Sequence, residues 1–312
     1  MASIPKKILL AVDGSVHSRA MLDYVGRIQA ALPGLTCCLF HVQSRLPPML
    51  VEEAEHDPRA KAQIDGLARR NADQAARILD QSRQVLIRHG LAPDAIETVT
   101  QSRVLGLARD VLVRAETVLY DAIVVGRRGL SGVQKLLMGS LTAKLCQHTE
   151  IVPVWVVDGD RPQDGYLLAV DGSQNALRAV DHFAFMLTGN GAARATLLHV
   201  VPRFAEHCDL DATADFHPAA SILTRTDLRC LERFAESART RLGQAGFSSD
   251  RIDFRQIQRT VGIGRAILEV ARRQGLGTVV LGRRGSGGAF YSGRVCRHVM
   301  EKGSGRAFWL VP

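Results

Sequence analysis

The chain has 312 residues, 46% hydrophobic and 23% charged, which is long for one core and ordinary for a globular protein of two domains. Its formal net charge of +9 suits an anionic ligand, but interleaved acids and only 5% aromatic residues argue against a stacking surface for nucleic acid. The opening MASIPKKILLAVDGS reaches Asp13 after a brief apolar run, and no apolar stretch approaches membrane-spanning length, so neither signal peptide nor anchor is expected and the expected location is the cytoplasm.

In chain order, the first predicted element is a strand over residues 7–12, ending at Asp13-Gly14-Ser15. A helix is expected over 17–31, where Ala20, Met21, Tyr24, Val25 and Ile28 share one face. Strand two covers 35–42 and holds Cys37 and Cys38, whose side chains must point to opposite faces. The six cysteines form no CxxC pair, and Cys146 and Cys296 fall in helical patterns, so reduced, mostly buried thiols are expected. A proline-rich loop, Arg45-Leu46-Pro47-Pro48, leads past Asp57-Pro58 into a long helix over 59–89, closed by Gly90. Strand three is predicted over 95–101, a helix over 105–116 and strand four over 122–125. A glycine-bearing loop then leads to a helix from Gly139, and strand five covers 153–157. Alternating strands and helices imply a parallel, doubly wound α/β sheet.

The same order then recurs. ILLAVDGS at Ile8 to Ser15 returns as YLLAVDGS at Tyr166 to Ser173, and His41-Val42 returns as His199-Val200. VGRRG at Val125 to Gly129 returns as LGRRG at Leu281 to Gly285, and Trp155-Val156-Val157 as Trp309-Leu310-Val311. A whole domain is duplicated. The expected domains are residues 1–158 and 164–312, each a parallel five-stranded sheet flanked by helices, joined by the polar linker Asp158-Gly159-Asp160-Arg161-Pro162-Gln163. Second-copy strands are expected over 166–170, 195–201, 252–256, 278–281 and 307–311, with the long helix over 221–245.

Residues 121–142, DAIVVGRRGLSGVQKLLMGSLT, hold the parts of an anion cradle. Gly126 and Gly129 follow a strand and let backbone N–H groups turn towards a ligand. Gly139-Ser140 opens a helix, adding N–H donors, a hydroxyl and the positive end of the helix dipole. The same glycines also suit a plain strand-to-helix turn. Asp13 lies at the carboxyl end of strand one, the edge where open α/β sheets bind ligands. It can accept hydrogen bonds from a ribose hydroxyl or an exocyclic amine, or cap the following helix in competition with Ser15 and Ser18. His41 and His199, inside apolar strands, read as hydrogen-bonded core histidines. The cluster His207, Cys208, Asp209, Asp211, Asp215 and His217 has no standard zinc spacing and reads as a solvated loop. GxxxxGK[ST] is absent, the two GxG-like stretches lack the dinucleotide pattern, and Gly129-Leu130-Ser131-Gly132 is not G-x-S-x-G.

The repeated VDGS strand end, the His-Val ending of strand two, the spacing G-x2-G-x9-G-S at Gly126, Gly129 and Gly139-Ser140, and the final PVWVV strand resemble the universal stress protein family. The resemblance covers essentially the whole chain as two tandem members, and implies Rossmann-like, adenine nucleotide alpha hydrolase-like domains. It also implies ATP in the first copy, with Asp13 and the backbone of Val42 at the adenine and Ala11 beside the nucleoside. Gly126 and Arg127 are implied near the ribose. Gly129, Gly139, Ser140 and the Leu141 backbone would hold the phosphates, and the Thr142 hydroxyl is a further donor. A bridging divalent ion such as Mg2+ is implied as well, although no residue pattern specifies a protein ligand for it.

The second copy departs from this pattern. Seven residues separate Gly285 from Gly293, the Gly-Ser pair becomes Gly293-Arg294, and Cys296 matches Thr142. Asp171, Val200, Gly282 and Gly285 remain, so this copy is expected to be degenerate for ATP, with AMP-like binding left open. The expected function is a stress-response, regulatory nucleotide-binding module. Slow ATP hydrolysis or phosphoryl transfer, and a nucleotide-free interaction scaffold, are the alternatives; no general base is evident beside the loop. Implied partners are an adenine nucleotide, the second domain paired with the first, a second chain in a homodimer and a regulatory protein, with no membrane or nucleic acid.

Overall fold

The computed structural model describes residues 4–128, 138–159, 165–190, 192–201, 217–258, 262–283 and 293–312, with backbone alone for 217–228. The chain divides into two compact units, one comprising Pro5–Gln29 and Gly34–Asp160 and the other built on Arg161–Pro312. Each is an α/β unit with a parallel sheet.

In the first unit, β1 (Lys6–Ala11), β2 (Leu35–Gln43), β3 (Ile96–Ser102), β4 (Ala122–Gly126) and β5 (Val154–Val157) alternate with helices. β1 pairs with both β2 and β4, while β3 extends from β2 and β5 from β4, all in parallel. The order β3-β2-β1-β4-β5 reverses between β1 and β4, and that switch point opens a crevice at the carboxyl ends of the two strands. The strands at its centre are near-continuous apolar runs because helices cover both faces: Ile8, Leu9, Leu10, Ala122, Ile123 and Val124 are fully buried.

Helix α1 (Val16–Ile28) buries Met21, Tyr24 and Val25 of the apolar stripe read from the sequence, with Leu22 added, while Ala20 and Ile28 are only part-buried. The proline-rich stretch holds a helix that periodicity does not announce, α2 (Pro48–His56), before α3 (Pro58–Arg88). The break has a local cause. A proline at 58 disfavours helical backbone at Asp57, which is extended at φ −126° and caps α3 by accepting from the Arg59 amide at 2.8 Å. The buried residues of α3 begin at Ala75. Helices α4 (Leu107–Thr117) and α5 (Ser140–His148) complete the unit.

The second unit repeats the plan with β6 (Tyr166–Val170), α6 (Gln174–Leu187), β7 (Ala195–Val201), α7 (His217–Gln244), β8 (Ile252–Gln258), α8 (Ile263–Arg273), β9 (Thr278–Gly282), α9 (Arg294–Lys302) and β10 (Ala307–Val311). Its order is β8-β7-β6-β9-β10, again parallel throughout. Trp309 is fully buried against Tyr166, with centroids 5.8 Å apart in a T-shaped pair, and Phe183 stacks edge-on to Tyr166 at 5.1 Å. Among the described residues no helix is long and apolar enough to cross a membrane.

Candidate functional site

The crevice of the first unit is assembled from three chain segments: the turn after β1, the end of β2, and the bases of the loop between β4 and α5. At the first, Gly14 adopts φ 76°, a left-handed conformation that glycine accepts without strain. This turn lets the Asp13 carboxylate accept from the Ser15 amide at 3.0 Å, while the Ser15 hydroxyl caps α1 by accepting from the Ser18 amide at 3.1 Å. The cap is therefore Ser15. Asp13 organises the turn through one carboxylate oxygen.

The β2 segment is tied to β1 at the same level. The Val12 amide donates to Phe40 O at 3.0 Å, and His41 Nδ1 donates to Val12 O at 2.8 Å. His41 is thus a satisfied histidine holding two strand ends in register, and Val42 beyond it is buried. Ala11, Asp13 and Val42 all end up at the carboxyl edge beside the switch point.

At β4, Gly126 has a packing duty that the sequence does not announce. A Cβ there would sit 2.6 Å from His17 O and 2.7 Å from His17 C, so only glycine lets the first turn of α1 rest on the strand end. Arg127 anchors the loop base with its backbone and its side chain. Its amide donates to Val157 O at 2.8 Å and its carbonyl accepts from the Gly139 amide at 2.9 Å. Its guanidinium Nη1 lies 2.8 Å from Asp158 Oδ2, with the two side chains only 4% and 14% exposed. The arginine side chain thus packs inward against the first linker residue, and its backbone faces the loop.

Helix α5 starts with an open end. Gly139 is its N-cap and supplies no side-chain cap; the first intrahelical bond runs from the Ala143 amide to Gly139 O. The amides of Ser140, Leu141 and Thr142 precede that bond and sit at the positive end of the dipole, and Ser140 is exposed. The Thr142 hydroxyl is buried and donates to Gly126 O at 2.9 Å, pinning the helix start to the end of β4. Its proton is committed to the scaffold. The loop glycine Gly129 lies outside the described residues, as does its counterpart Gly285.

These donors and glycines fit a phosphate-bearing ligand reaching from the α5 terminus towards the β1 end. Asp13 accepts from the Ser15 amide and Asp158 pairs with Arg127, and among the described residues no group of three or more His, Cys, Asp or Glu converges. A divalent ion there would be held by the ligand's own phosphates.

The second unit rebuilds the scaffold and alters the cradle. Asp171 accepts from the Ser173 amide at 3.0 Å, Ser173 caps α6, and His199 Nδ1 donates to Val170 O at 3.0 Å, with Val200 buried beyond it. Gly282 again meets backbone, its would-be Cβ 3.0 Å from Asn175 C and O. The Gly293 amide donates to Arg283 O at 3.1 Å. Where the first unit has Ser140 and Thr142, this one has an exposed Arg294 and a buried Cys296, whose thiol is pushed up to about 12 by burial. Of the acidic, histidine and cysteine cluster, 207–215 lie outside the described residues and His217 begins α7.

Spacing alone did not single out Asp158, and the packing role of Gly126 has no local signal. The recurrence of an arginine after each strand-end glycine, Arg127 and Arg283, was the available hint; both are buried in the structure.

The sequence pattern of the Universal stress protein family matches residues 5–158 and 166–304. No curated protein matches the chain in sequence. Among solved structures, a universal stress protein from Archaeoglobus fulgidus DSM 4304 is similar with a TM-score of 0.67 at 19% identity, covering 98% of this chain and 97% of that one. A functionally unknown protein from Pseudomonas aeruginosa PAO1 has a TM-score of 0.53 at 15% identity, covering 98% and 92%. A putative universal stress protein from Pseudomonas aeruginosa UCBPP-PA14 has a TM-score of 0.53 at 16% identity, covering 98% and 93%. At these identities the likeness is one of fold.

Proposed function

The chain belongs to the universal stress protein family, and from that premise we propose that its first domain, residues 1–158, binds ATP as a regulatory module of the stress response. The observation that carries this reading is the uncapped start of α5, pinned by Gly139 and Thr142 to the end of β4 across the switch point from Asp13. In this reading Asp13 and the Val42 backbone receive the adenine and Ala11 lies beside the nucleoside. The Gly126 and Arg127 backbone lines the ribose. Gly129 and the amides of Ser140 and Leu141, with the Ser140 hydroxyl, hold the phosphates. Gly139 contributes by having no side chain, since its own amide is used by Arg127 O. Thr142 acts through the scaffold. Mg2+ enters with the triphosphate, on phosphate oxygens.

The second domain, residues 164–312, keeps the turn and strand ends but puts Arg294 at the helix start, and in this reading the larger side chain there works against phosphate binding. It acts as the structural partner of the first. The bound state of the first domain is what a protein partner would read.

Calorimetric titration of the full chain with ATP tests this, alongside analysis of co-purified nucleotide. The wild type is expected to bind, and Gly139→Val with Ser140→Arg, which puts a branched side chain at the N-cap and the second copy's arginine at the helix start, to lower affinity by at least about a hundredfold through steric exclusion and the lost hydroxyl donor. Affinity that survives this change places the site elsewhere. No binding by the wild type ends the nucleotide reading.

A further inference from the structure

Residues 48–74 form a two-helix arm of the first unit that has no core of its own. Helix α2 packs along α3, yet none of its residues is buried, and α3 buries nothing before Ala75. From there inward α3 carries its apolar stripe, with Ile78, Leu79, Val85 and Leu86 buried. Ile64 and Leu67 continue that stripe outward at helical spacing, Ile64 part-buried and Leu67 exposed. On α2, Met49 is 76% exposed, and Leu50 and Val51 are exposed with it. Short helices are held by burial of an apolar face more than by propensity, and this arm leaves such a face uncovered.

The arm's charges are sorted by helix. Helix α2 carries Glu52, Glu53 and Glu55 and no lysine or arginine, while the outer part of α3 carries Arg59, Lys61, Arg69 and Arg70 against Asp65 and Asp73. Among the described residues none of the three glutamates forms an ion pair, and neither does Arg59 or Arg70. Glu52 and Glu53 lie one turn beyond Met49 on its face of α2, and Arg59 and Arg70 stand about three turns apart on one row of α3. Gly66 lies between those arginines, inside a helix where glycine is disfavoured. A Cβ there would meet nothing within 4 Å. No packing within the chain calls for that glycine, whereas a second helix could approach closely over it.

We propose that the arm is a dimerisation surface for a second copy of this chain. Two arms pack about a twofold axis, α2 of each against the outer α3 of the other, as a four-helix bundle. Met49 and its neighbours cover the row opened by Gly66, and the α2 glutamates face Arg59 and Arg70 of the second copy. Acid on one helix and base on the other make the arm its own complement. A partner of uniform charge would meet repulsion at one of the two helices.

Sedimentation of the full chain over a concentration series, without nucleotide, reads the dimer constant. Gly66→Leu meets open space within the chain and is a better helix former, so the fold accepts it. It is expected to weaken the dimer at least about tenfold by blocking close approach. Glu52→Lys with Glu53→Lys, and separately Arg59→Glu with Arg70→Glu, are each expected to weaken it at least about tenfold by setting like charges opposite. An equimolar mixture of these two charge variants is expected to form a heterodimer within about threefold of the wild-type constant. A wild type that stays monomeric up to about 100 µM overturns the proposal. So does a dimer indifferent to Gly66→Leu, which assembles through another face, and so does a mixture that fails to pair. A monomer that floats with anionic lipid vesicles, and loses this with Met49→Glu, gives the arm to a membrane and equally overturns it.

Discussion

Gly126 shows how one residue can answer to two demands. Its place after a strand and before a second glycine reads as ligand chemistry, yet its neighbour is the His17 backbone, where a Cβ would come within 2.6 Å. Main chain does not yield as a flexible side chain does, so Gly126→Ala is expected to destabilise the first unit by about 1–3 kcal/mol even without ligand. Urea denaturation checks it, and an unchanged midpoint would show that α1 can shift at no cost. The same distinction applies to Arg127 and Thr142. Both stand in the stretch proposed to hold the nucleotide, and both engage the scaffold with their side chains, one through Asp158 and the other through Gly126 O.

At the scale of elements, helix starts are where sequence left two readings open. DGS followed by a serine offers Asp13, Ser15 and Ser18 as caps for α1. Backbone geometry chose Ser15, extended at φ −72° and ψ 163°, and the same choice recurs at Ser173. Ser15→Ala and Ser173→Ala are each expected to cost about 1 kcal/mol, the usual value of a lost cap. Asp13→Ala should cost less in stability and more in ATP affinity, and a chemical-denaturation series run beside calorimetry separates the two. An equal stability loss at Asp13 and Ser15 would contradict this assignment. The central strands were legible almost to the residue, because buried parallel strands are apolar runs, while the largely exposed β3 and β8 were placed by their order between helices. Helix α2 was not. Its Met49, Leu50 and Val51 are exposed, so it has no buried stripe to write a period into the sequence, and the Pro47-Pro48 pair at its start suggested a loop.

For the molecule as a whole, duplication converted weak local signals into a specific reading: two tandem family domains with one scaffold and two different helix starts. A titration belongs at this scale because it acts on folding itself. His182 packs on Trp309 with centroids 5.8 Å apart, and burial pushes its pKa down to about 3. The unfolded chain, with an ordinary histidine, binds a proton that the native state refuses. Stability is therefore full above about pH 6.5 and falls as pH drops towards 3, by at most ~1.4 kcal/mol per pH unit for this group. His182→Phe should remove that one-proton slope from urea midpoints taken between pH 4 and 7; parallel slopes in both proteins would exclude His182 as its source. The order of strands, the repeat and the loss of Gly-Ser in the second copy were determined by the sequence alone, since each is a pattern along one dimension. Only the tertiary structure decided that Gly126 makes room for α1, that Ser15 caps it, and that Arg127 pairs with Asp158. Those outcomes depend on which backbones approach within a few ångströms across the β1–β4 switch point and the β4–β5 ladder, and residues so far apart in the chain leave no mark of that approach in their spacing.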